Sequence, residues 1–289
     1  MKTFFKIFKW TFFVLGFLFI SSIIFMRTSR VMDKQFFTVR KDYSYEKIQS
    51  DLSHQEFYFE MEDGVKLHGA LFKPDSLEAI ATIFHHPGNG MNINRAAVQY
   101  SFLIERGYQV FTYERRGFAN STGVADNALE LKDDALNVFD QLIKEETVKG
   151  KPVILWGQSL GGAFATMNMA ERHDFADGLI VEGTFNSFNA IGQHYAGMVN
   201  MEKIKWMIPL LSPNDYPAEE NIQKIHKPVV VIHSKEDKQV PYELGRALYQ
   251  ASNKESTQFW EIDGLHINGM NQRRQKYLAL FDEMLQPHS

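Results

Sequence analysis

The chain has 289 residues, of which 44% are hydrophobic and 23% charged, and its formal net charge is −4 at pH 7. This size and balance fit one large α/β domain with an extension. No basic stripe occurs beyond the N-terminus, so we expect no nucleic-acid partner. The sequence contains no cysteine, which excludes disulfides, thiolate zinc sites and a cysteine nucleophile.

The N-terminus has the composition of a membrane anchor. Lysines precede an uncharged stretch over residues 10–26, and Arg27 and Arg30 follow it. As a helix this stretch would span about 25 Å, the short end of the transmembrane range, and flanking cations can extend its reach. We predict an uncleaved single-pass anchor over residues 1–30, since no small-x-small cleavage site follows the apolar stretch. A cleaved signal peptide and an interfacial helix are the alternatives.

Positive charge lies on both sides of the anchor, so the charge rule for orientation is nearly balanced. The short, lysine-rich tail favours a cytoplasmic N-terminus, with the following domain on the extracytoplasmic side of the membrane. Residues 31–55 are polar and mixed in character, and we interpret them as a stalk or linker. The domain itself is predicted to occupy residues 56–289.

The domain begins with a pattern typical of a hairpin. Residues 57–60 and 65–72 flank the turn signal Asp63-Gly64, which predicts two antiparallel strands. His68, within the second of them, is predicted to lie on the surface. Pro74 and Asp75 then end the hairpin.

The rest of the domain alternates between short apolar runs and segments of helical spacing. Helices are predicted over residues 95–106, 131–142, 163–170 and 268–286. Strands are predicted over residues 79–84, 109–113, 153–158, 178–181, 228–233 and 257–262. This alternation predicts an α/β fold, with a mostly parallel twisted sheet covered by helices on both faces. Right-handed crossovers then place the loops after the strand carboxyl ends on one rim.

An insertion over residues 186–227 lies between two of these strands. Residues 206–211 within it are strongly apolar, and prolines follow. Two interpretations are open: a helix packed on the sheet, or a short lid over the active site whose inner side is apolar. The segment is too short to form a separate cap domain.

The strand over residues 153–158 ends in Gly157-Gln158-Ser159-Leu160-Gly161, and a helical stretch follows. This arrangement is typical of a nucleophile elbow, in which a sharp strand-to-helix turn lifts a serine hydroxyl above the sheet. Glycines are needed because side chains would collide across so tight a turn. A helix N-cap is the ordinary alternative role for Ser159. The context favours the catalytic role.

A serine hydroxyl needs a base within hydrogen-bond reach, and the base needs an orienting carboxylate. Asp237 follows one late strand and His266 follows the last, which gives the order Ser, Asp, His found in α/β-hydrolases. Glu236 and Glu182 are rival carboxylates. A solvated loop charge is the ordinary role for Asp237, and helix capping is the ordinary role for His266.

The oxyanion that forms during acyl transfer needs two N–H donors. The backbone N–H of Leu160, directly after Ser159, is the first candidate. The second is expected in the loop after residue 84, where Pro87 has no N–H to donate. Hydrolases that this chain resembles commonly carry His-Gly-x in this loop, with x donating its N–H, and the alignment that avoids proline at x places Gly88 there. The resemblance therefore makes Gly88 the predicted donor, with Asn89 next. A simple tight turn is the alternative for this loop.

Four segments together resemble the α/β-hydrolase superfamily, most closely its BEM46-like and serine-aminopeptidase-like branch. They are residues 85–90, 113–121, 157–161 and 233–241. The resemblance covers residue 65 to the end, implies a serine hydrolase acting on esters, thioesters or amides, and selects Asp237 over Glu236. The chain departs from the pattern where His86-Pro87 replaces His-Gly and where Ser234 replaces a glycine.

The sequence thus predicts a membrane-anchored serine hydrolase that cleaves an acyl ester or thioester through an acyl-enzyme intermediate. The expected substrate is a small-molecule or lipid-like acyl compound, with medium or long chains preferred, because a tethered enzyme with an apolar segment at residues 206–211 meets lipids at high local concentration. No cofactor and no metal site are expected. The alternatives are an aminopeptidase or amidase, or a silent hydrolase scaffold that binds a membrane partner or lipid.

Overall fold

A computed structural model of the protein describes residues 2–37, 44–75 and 78–285. Its centre is one sheet of eight strands. The strands are β1 (His54–Glu60), β2 (Lys66–Phe72), β3 (Ala81–His86), β4 (Tyr108–Tyr113), β5 (Val153–Gln158), β6 (Gly178–Glu182), β7 (Val229–Ser234) and β8 (Thr257–Ile262). Their order across the sheet is β1-β2-β4-β3-β5-β6-β7-β8.

The sheet is mixed at one edge and parallel elsewhere. β2 pairs antiparallel with both β1 and β4, and β1 and β2 form the predicted hairpin. Every other neighbouring pair is parallel, so the carboxyl ends of β3, β5, β6, β7 and β8 meet at one rim. The predicted fold class is confirmed.

The helices that the structure describes cover both faces of this sheet and extend beyond it at the N-terminus. They are α1 (Lys2–Thr28), α2 (Val31–Phe36), α3 (Ile93–Ala97), α4 (Ser101–Glu105), α5 (Ala128–Leu142), α6 (Leu160–Glu171), α7 (Phe188–Met198), α8 (Ile208–Leu211), α9 (Ala218–Ile222), α10 (Tyr242–Ala251), α11 (Gly269–Gln272) and α12 (Arg274–Met284). Short 3₁₀ turns at His173–Phe175 and Lys205–Met207 complete the set.

The core consists of two apolar layers, one on each face of the sheet. Side chains alternate between the faces of a strand, so in β5 Leu155 joins one layer while Ile154 and Trp156 join the other. Phe164 of α6 packs in the first layer and Phe281 of α12 in the second. Because both faces are buried, the central strands are continuously apolar, which is the pattern that predicted them.

Two predicted helices are each divided in the structure. The helix predicted over residues 95–106 is α3 and α4, because the amides of Gln99 and Tyr100 bond three residues back, to Ala96 and Ala97, and tighten the chain into a turn. The helix predicted over residues 268–286 is α11 and α12. At the break Arg273 leaves the helical conformation, with φ −128° and ψ 32°.

The prediction that His68 lies on the surface is wrong. Its side chain is fully buried, with Nε2 2.7 Å from Glu56 and Nδ1 3.3 Å from Glu114. Burial opposes protonation of this ring, but the hydrogen bonds and charges of the two carboxylates outweigh it and raise the pKa of His68. The sequence of β2 alone could not reveal these partners, because Glu56 lies in β1 and Glu114 follows β4.

Helix α1 is apolar and projects away from the domain. Within the described residues, Ile7–Thr28 is the one stretch with the length and composition to cross a membrane, and none of it is buried in the protein. Its last turn contacts α8, where the Arg27 guanidinium donates to the carbonyl of Pro209 at 2.9 Å.

The segment after α1 packs against the domain. Arg30 forms a two-pronged ion pair with Asp215, at 2.7 and 3.2 Å. Asp33 of α2 is fully buried and accepts a hydrogen bond from the backbone N–H of Ala128, at the start of α5. Part of the segment interpreted as a stalk is therefore in contact with the domain. The boundaries at residues 30 and 55 stay predictions.

Candidate active site

The turn between β5 and α6 has the geometry of a nucleophile elbow. Ser159 adopts φ 54° and ψ −123°, a conformation rare for residues with a side chain. Its backbone N–H is held by the carbonyl of Glu182 at 2.8 Å. A Cβ at Gly157 would lie 2.5 Å from the carbonyl of Gly161, and a Cβ at Gly161 would lie 2.0 Å from the carbonyl of His86. The turn therefore closes only with glycine at both positions.

The loops after β7 and β8 bring the predicted acid and base together. His266 Nδ1 lies 2.5 Å from Asp237 Oδ2 and donates to it. The other oxygen of Asp237, Oδ1, accepts the backbone N–H groups of Gln239 and Val240 at 2.8 and 2.9 Å. The carboxylate is thus buried, fully bonded and fixed in orientation.

The surroundings of Asp237 keep it ionised. Burial alone would raise its pKa, but the hydrogen bond and charge of His266, together with the two amide donors, lower the pKa below its usual value. His233 lies beside it, with Nε2 2.9 Å from the carbonyl of Val240, and burial lowers the pKa of that imidazole. His233 is therefore neutral and supports the loop that carries Asp237.

His266 and Ser159 lie in adjoining loops at the same rim. A Cβ at Gly183, directly after β6, would be 3.1 Å from two atoms of the His266 ring. Gly183 has φ +59°, so the chain turns sharply there and leaves room for the imidazole. The preceding residue, Glu182, is the one whose carbonyl holds the Ser159 amide. The sequence analysis did not identify Gly183; its position directly after a buried strand was the available signal.

The loop predicted to supply an oxyanion donor lies against Ser159. A Cβ at Gly88 would be 3.5 Å from Cβ of Ser159. The buried guanidinium of Arg115 donates to the carbonyls of Pro87 and Gly88 at 2.9 and 3.0 Å. In a trans peptide the N–H points opposite to the C=O. The N–H groups of Gly88 and Asn89 therefore both point away from Arg115.

Arg115 is a residue that the sequence analysis missed as part of the site. It is 5% exposed, lies in the segment 113–121 after β4, and burial lowers its pKa. Its neighbours on both sides anchor that segment. Glu114 accepts from the Tyr45 hydroxyl at 2.8 Å, and Arg116 forms a two-pronged pair with Asp134 at 2.6 and 2.7 Å. These contacts fix the backbone from which Arg115 reaches the loop.

Glu182, the rival acid, is bonded elsewhere. Its side chain is buried and accepts hydrogen bonds from Gln158 Nε2 at 3.1 Å and from the backbone N–H of Gly269 at 2.5 Å. Burial raises the pKa of this carboxyl. Gln158 is in turn 3.2 Å from Nε2 of His85. Glu182 therefore links the strand before Ser159 to the helix after His266, while Asp237 is the carboxylate that bonds the imidazole.

The strand order, the strained serine after β5 and the bonded aspartate and histidine on later loops are the features of an α/β-hydrolase. The chain belongs to the α/β-hydrolase superfamily. A family model described as serine aminopeptidase, S33, matches residues 78–216. The uncharacterized protein YfhR of Escherichia coli strain K12 is 30% identical over 231 residues, which cover 76% of each chain.

Other relatives and structures extend this comparison. The lysophosphatidylserine lipase ABHD12 of Rattus norvegicus is 29% identical over 201 residues, covering 64% of this chain and 48% of that protein. Est1E of Butyrivibrio proteoclasticus, solved with ferulic acid, has a TM-score of 0.64 at 20% identity and covers 79% of this chain and 99% of its own. The Pyrococcus furiosus esterase Pf2001 has a TM-score of 0.63 at 18% identity, covering 81% and 92%. The two structures show the shared fold, and the chain is a hydrolase of this superfamily.

Proposed function

We propose that the protein is a membrane-anchored serine hydrolase that cleaves acyl esters or thioesters. Ser159 is the nucleophile, His266 the general base and acid, and Asp237 the residue that orients His266. The observation that carries this proposal is the combination of a strained serine on an elbow closed by glycines with a 2.5 Å contact between His266 and Asp237. A histidine that only capped a helix would need neither a bonded carboxylate nor a strained serine in an adjoining loop.

In the proposed reaction, Oγ of Ser159 attacks the acyl carbon while its proton passes to Nε2 of His266. The imidazolium that results is stabilised by Asp237, whose lowered pKa keeps it ionised. The tetrahedral intermediate then expels the alcohol or thiol, which takes the proton from His266. Water, deprotonated by His266, attacks the acyl-enzyme and releases the acid, and Ser159 regains its proton.

The negative oxygen of the intermediate is proposed to bind the N–H groups of Leu160 and Gly88. Leu160 is the first residue of α6, where amide groups are free of helical partners and the helix dipole favours negative charge. Gly88 supports the role through its place beside Ser159 and through the orientation that Arg115 imposes. Asn89 is the second choice of donor, because Arg115 also holds the carbonyl of Gly88 and so orients the N–H of Asn89.

A lipid-like acyl substrate is proposed for two reasons. A relative that is 29% identical is named as a lysophosphatidylserine lipase, and a lipase acts on lipid esters. The apolar helix α1 would also hold the domain at a bilayer, with the domain proposed on the extracytoplasmic side. An aminopeptidase or amidase is favoured by the description of the matching family model. It requires in addition a group that receives the amino end of a peptide.

An acyl-chain series from acetyl to palmitoyl p-nitrophenyl esters tests the proposal on the full-length chain in detergent. We expect kcat/KM to rise with chain length, by at most about fourfold per methylene, since a buried CH₂ contributes up to ~0.8 kcal/mol. Ser159→Ala should abolish turnover and Ser252→Ala, a serine at the end of α10, should not. A flat profile would contradict the lipid substrate. Turnover equal in wild type and Ser159→Ala would leave a silent scaffold.

A further inference from the structure

Exposed apolar side chains are concentrated in one short segment of the insertion. Outside α1, seven of the fourteen large apolar side chains that are exposed in the described part of the chain lie within residues 195–210. Besides Tyr195 they are Met198, Val199, Met201, Ile204, Trp206 and Leu210. A soluble surface seldom concentrates apolar groups in this way without a partner. We call residues 195–210 the apolar patch.

The patch is continuous with the end of the apolar helix α1. Arg27, in the last turn of α1, donates to the carbonyl of Pro209, and α1 contacts α8 there. The ion pair of Arg30 with Asp215 holds the next turn of chain against the same region. If α1 crosses a bilayer, Arg27 lies at the bilayer surface, because Ile7–Thr28 is the stretch apolar enough to span. The backbone of α8 then lies at that height too.

The chemistry of the patch fits the interfacial zone of a bilayer. Trp206 is 61% exposed, and tryptophan is enriched at the level of lipid headgroups, where its ring is shielded and its N–H remains hydrated. Lys203 and Lys205 precede it in the chain, and long cationic side chains reach from an apolar surface to the headgroups. Lys205 also pairs with Glu202 at 2.5 Å, so its positive charge is partly neutralised.

We propose that the apolar patch rests in the headgroup region of the bilayer that α1 crosses, as a second contact with the membrane. This inference rests on the anchoring that forms part of the proposed function. The occupant is the lipid surface, because the patch adjoins the exit point of α1 rather than a groove or a strand edge. The domain then has two points of attachment, and its rotation about α1 is restricted.

The patch is supported by the rest of the insertion. The patch begins in α7, the first helix of the insertion. Gly192 of the same helix lies against Ile208 of α8. The α7 helix also contacts the 3₁₀ turn at Lys205–Met207, so the insertion packs as one unit that carries the apolar patch.

Depth measurements on the full-length chain test the inference. The protein has no cysteine, so each introduced cysteine takes up a single nitrobenzoxadiazole fluorophore. We would compare Met201→Cys and Leu210→Cys with Phe175→Cys, an exposed apolar residue in the 3₁₀ turn after α6, and with Val14→Cys in the middle of α1. Each is reconstituted in phosphatidylcholine–phosphatidylglycerol vesicles with and without a doxyl-labelled lipid.

The expected result is at least twofold stronger quenching at positions 201 and 210 than at position 175, with position 14 quenched most. Quenching at 201 and 210 no greater than at 175, with position 14 quenched, would overturn the second contact and leave the anchor intact. An unquenched label at position 14 would overturn both. None of these results depends on turnover, so a failure of the proposed chemistry is read separately, by ester hydrolysis.

Discussion

Replacing Asp237 by asparagine should disable the base without displacing it. Oδ1 of Asp237 accepts two backbone N–H groups, from Gln239 and Val240. In the variant these donors hold the amide oxygen at the same place, so the NH₂ group must occupy the position of Oδ2, 2.5 Å from Nδ1 of His266. A donor there forces Nδ1 to accept, and the ring proton moves to Nε2.

An imidazole with its proton on Nε2 cannot remove the proton of Ser159. The variant also lacks the negative charge that stabilises the imidazolium. Loss of tautomer and charge together is expected to lower kcat by roughly 10³- to 10⁴-fold, or about 4–5.5 kcal/mol of transition-state stabilisation at ~1.36 kcal/mol per decade. KM should change little, because the Asp237 side chain is buried and bonds the imidazole of His266.

The assay is initial-rate hydrolysis of a p-nitrophenyl ester by the full-length chain, with the melting temperature as a check on folding. Asp140→Asn is the matched control, since Asp140 pairs with Arg172 at the far end of α6, about 20 Å along the helix from Ser159. It should retain full kcat. A folded Asp237→Asn variant whose kcat lies within tenfold of the wild-type value would refute this account of the site. A large loss of kcat in Glu182→Gln would assign the role of the acid to Glu182.

Further outcomes follow from the packing and the pKa shifts. Gly161→Ala places Cβ 2.0 Å from the carbonyl of His86, a backbone atom, and should abolish activity or folding. Arg115→Gln should lower kcat at least tenfold with KM preserved, because the carbonyl of Gly88 loses its charged donor. Burial lowers the pKa of His85 to about 3, whereas the same imidazole in the unfolded chain is protonated near pH 6.5. The folded protein therefore loses stability as the pH is lowered from 6.5 toward 3. His85→Gln should therefore show a shallower decline of melting temperature from pH 6.5 to 4.

Each of these three outcomes has a matched comparison. Gly192→Ala, whose Cβ meets only the side-chain carbon of Ile208 at 3.2 Å, should remain active where Gly161→Ala does not. Arg246→Gln, a change on the surface of α10, should leave kcat unaltered. An equally steep pH dependence of melting in wild type and His85→Gln would show that this imidazole is not the group that takes up the proton.

The fold was predictable because its signals are local. Continuous apolar runs identify strands buried on both faces, and β5 followed by Gly157-Gln158-Ser159 identifies the turn to α6. Asp237 and His266 were chosen by their place after late strands, and the structure brings them into contact across 29 positions of sequence. Their catalytic roles remain a prediction, which rests on this contact.

The features that the sequence did not reveal depend on partners from distant segments. Arg115 donates to the carbonyls of Pro87 and Gly88, which lie 28 and 27 positions earlier in the chain. No periodic pattern in the sequence encodes that contact. His68 is buried because Glu56 and Glu114 supply partners that a strand pattern does not show. The breaks in the two divided helices arise from backbone turns at residues with ordinary helix propensity, so local composition predicted continuous helices.

The central claim, that Ser159 is an activated nucleophile, is tested most directly by an active-site-directed fluorophosphonate on the full-length chain. The account predicts stoichiometric phosphonylation, mapped by peptide mass spectrometry to Ser159, and no labelling of Ser159→Ala or of heat-unfolded protein. A folded wild-type protein that takes up no probe, or that is labelled equally when Ser159 is alanine, would contradict it.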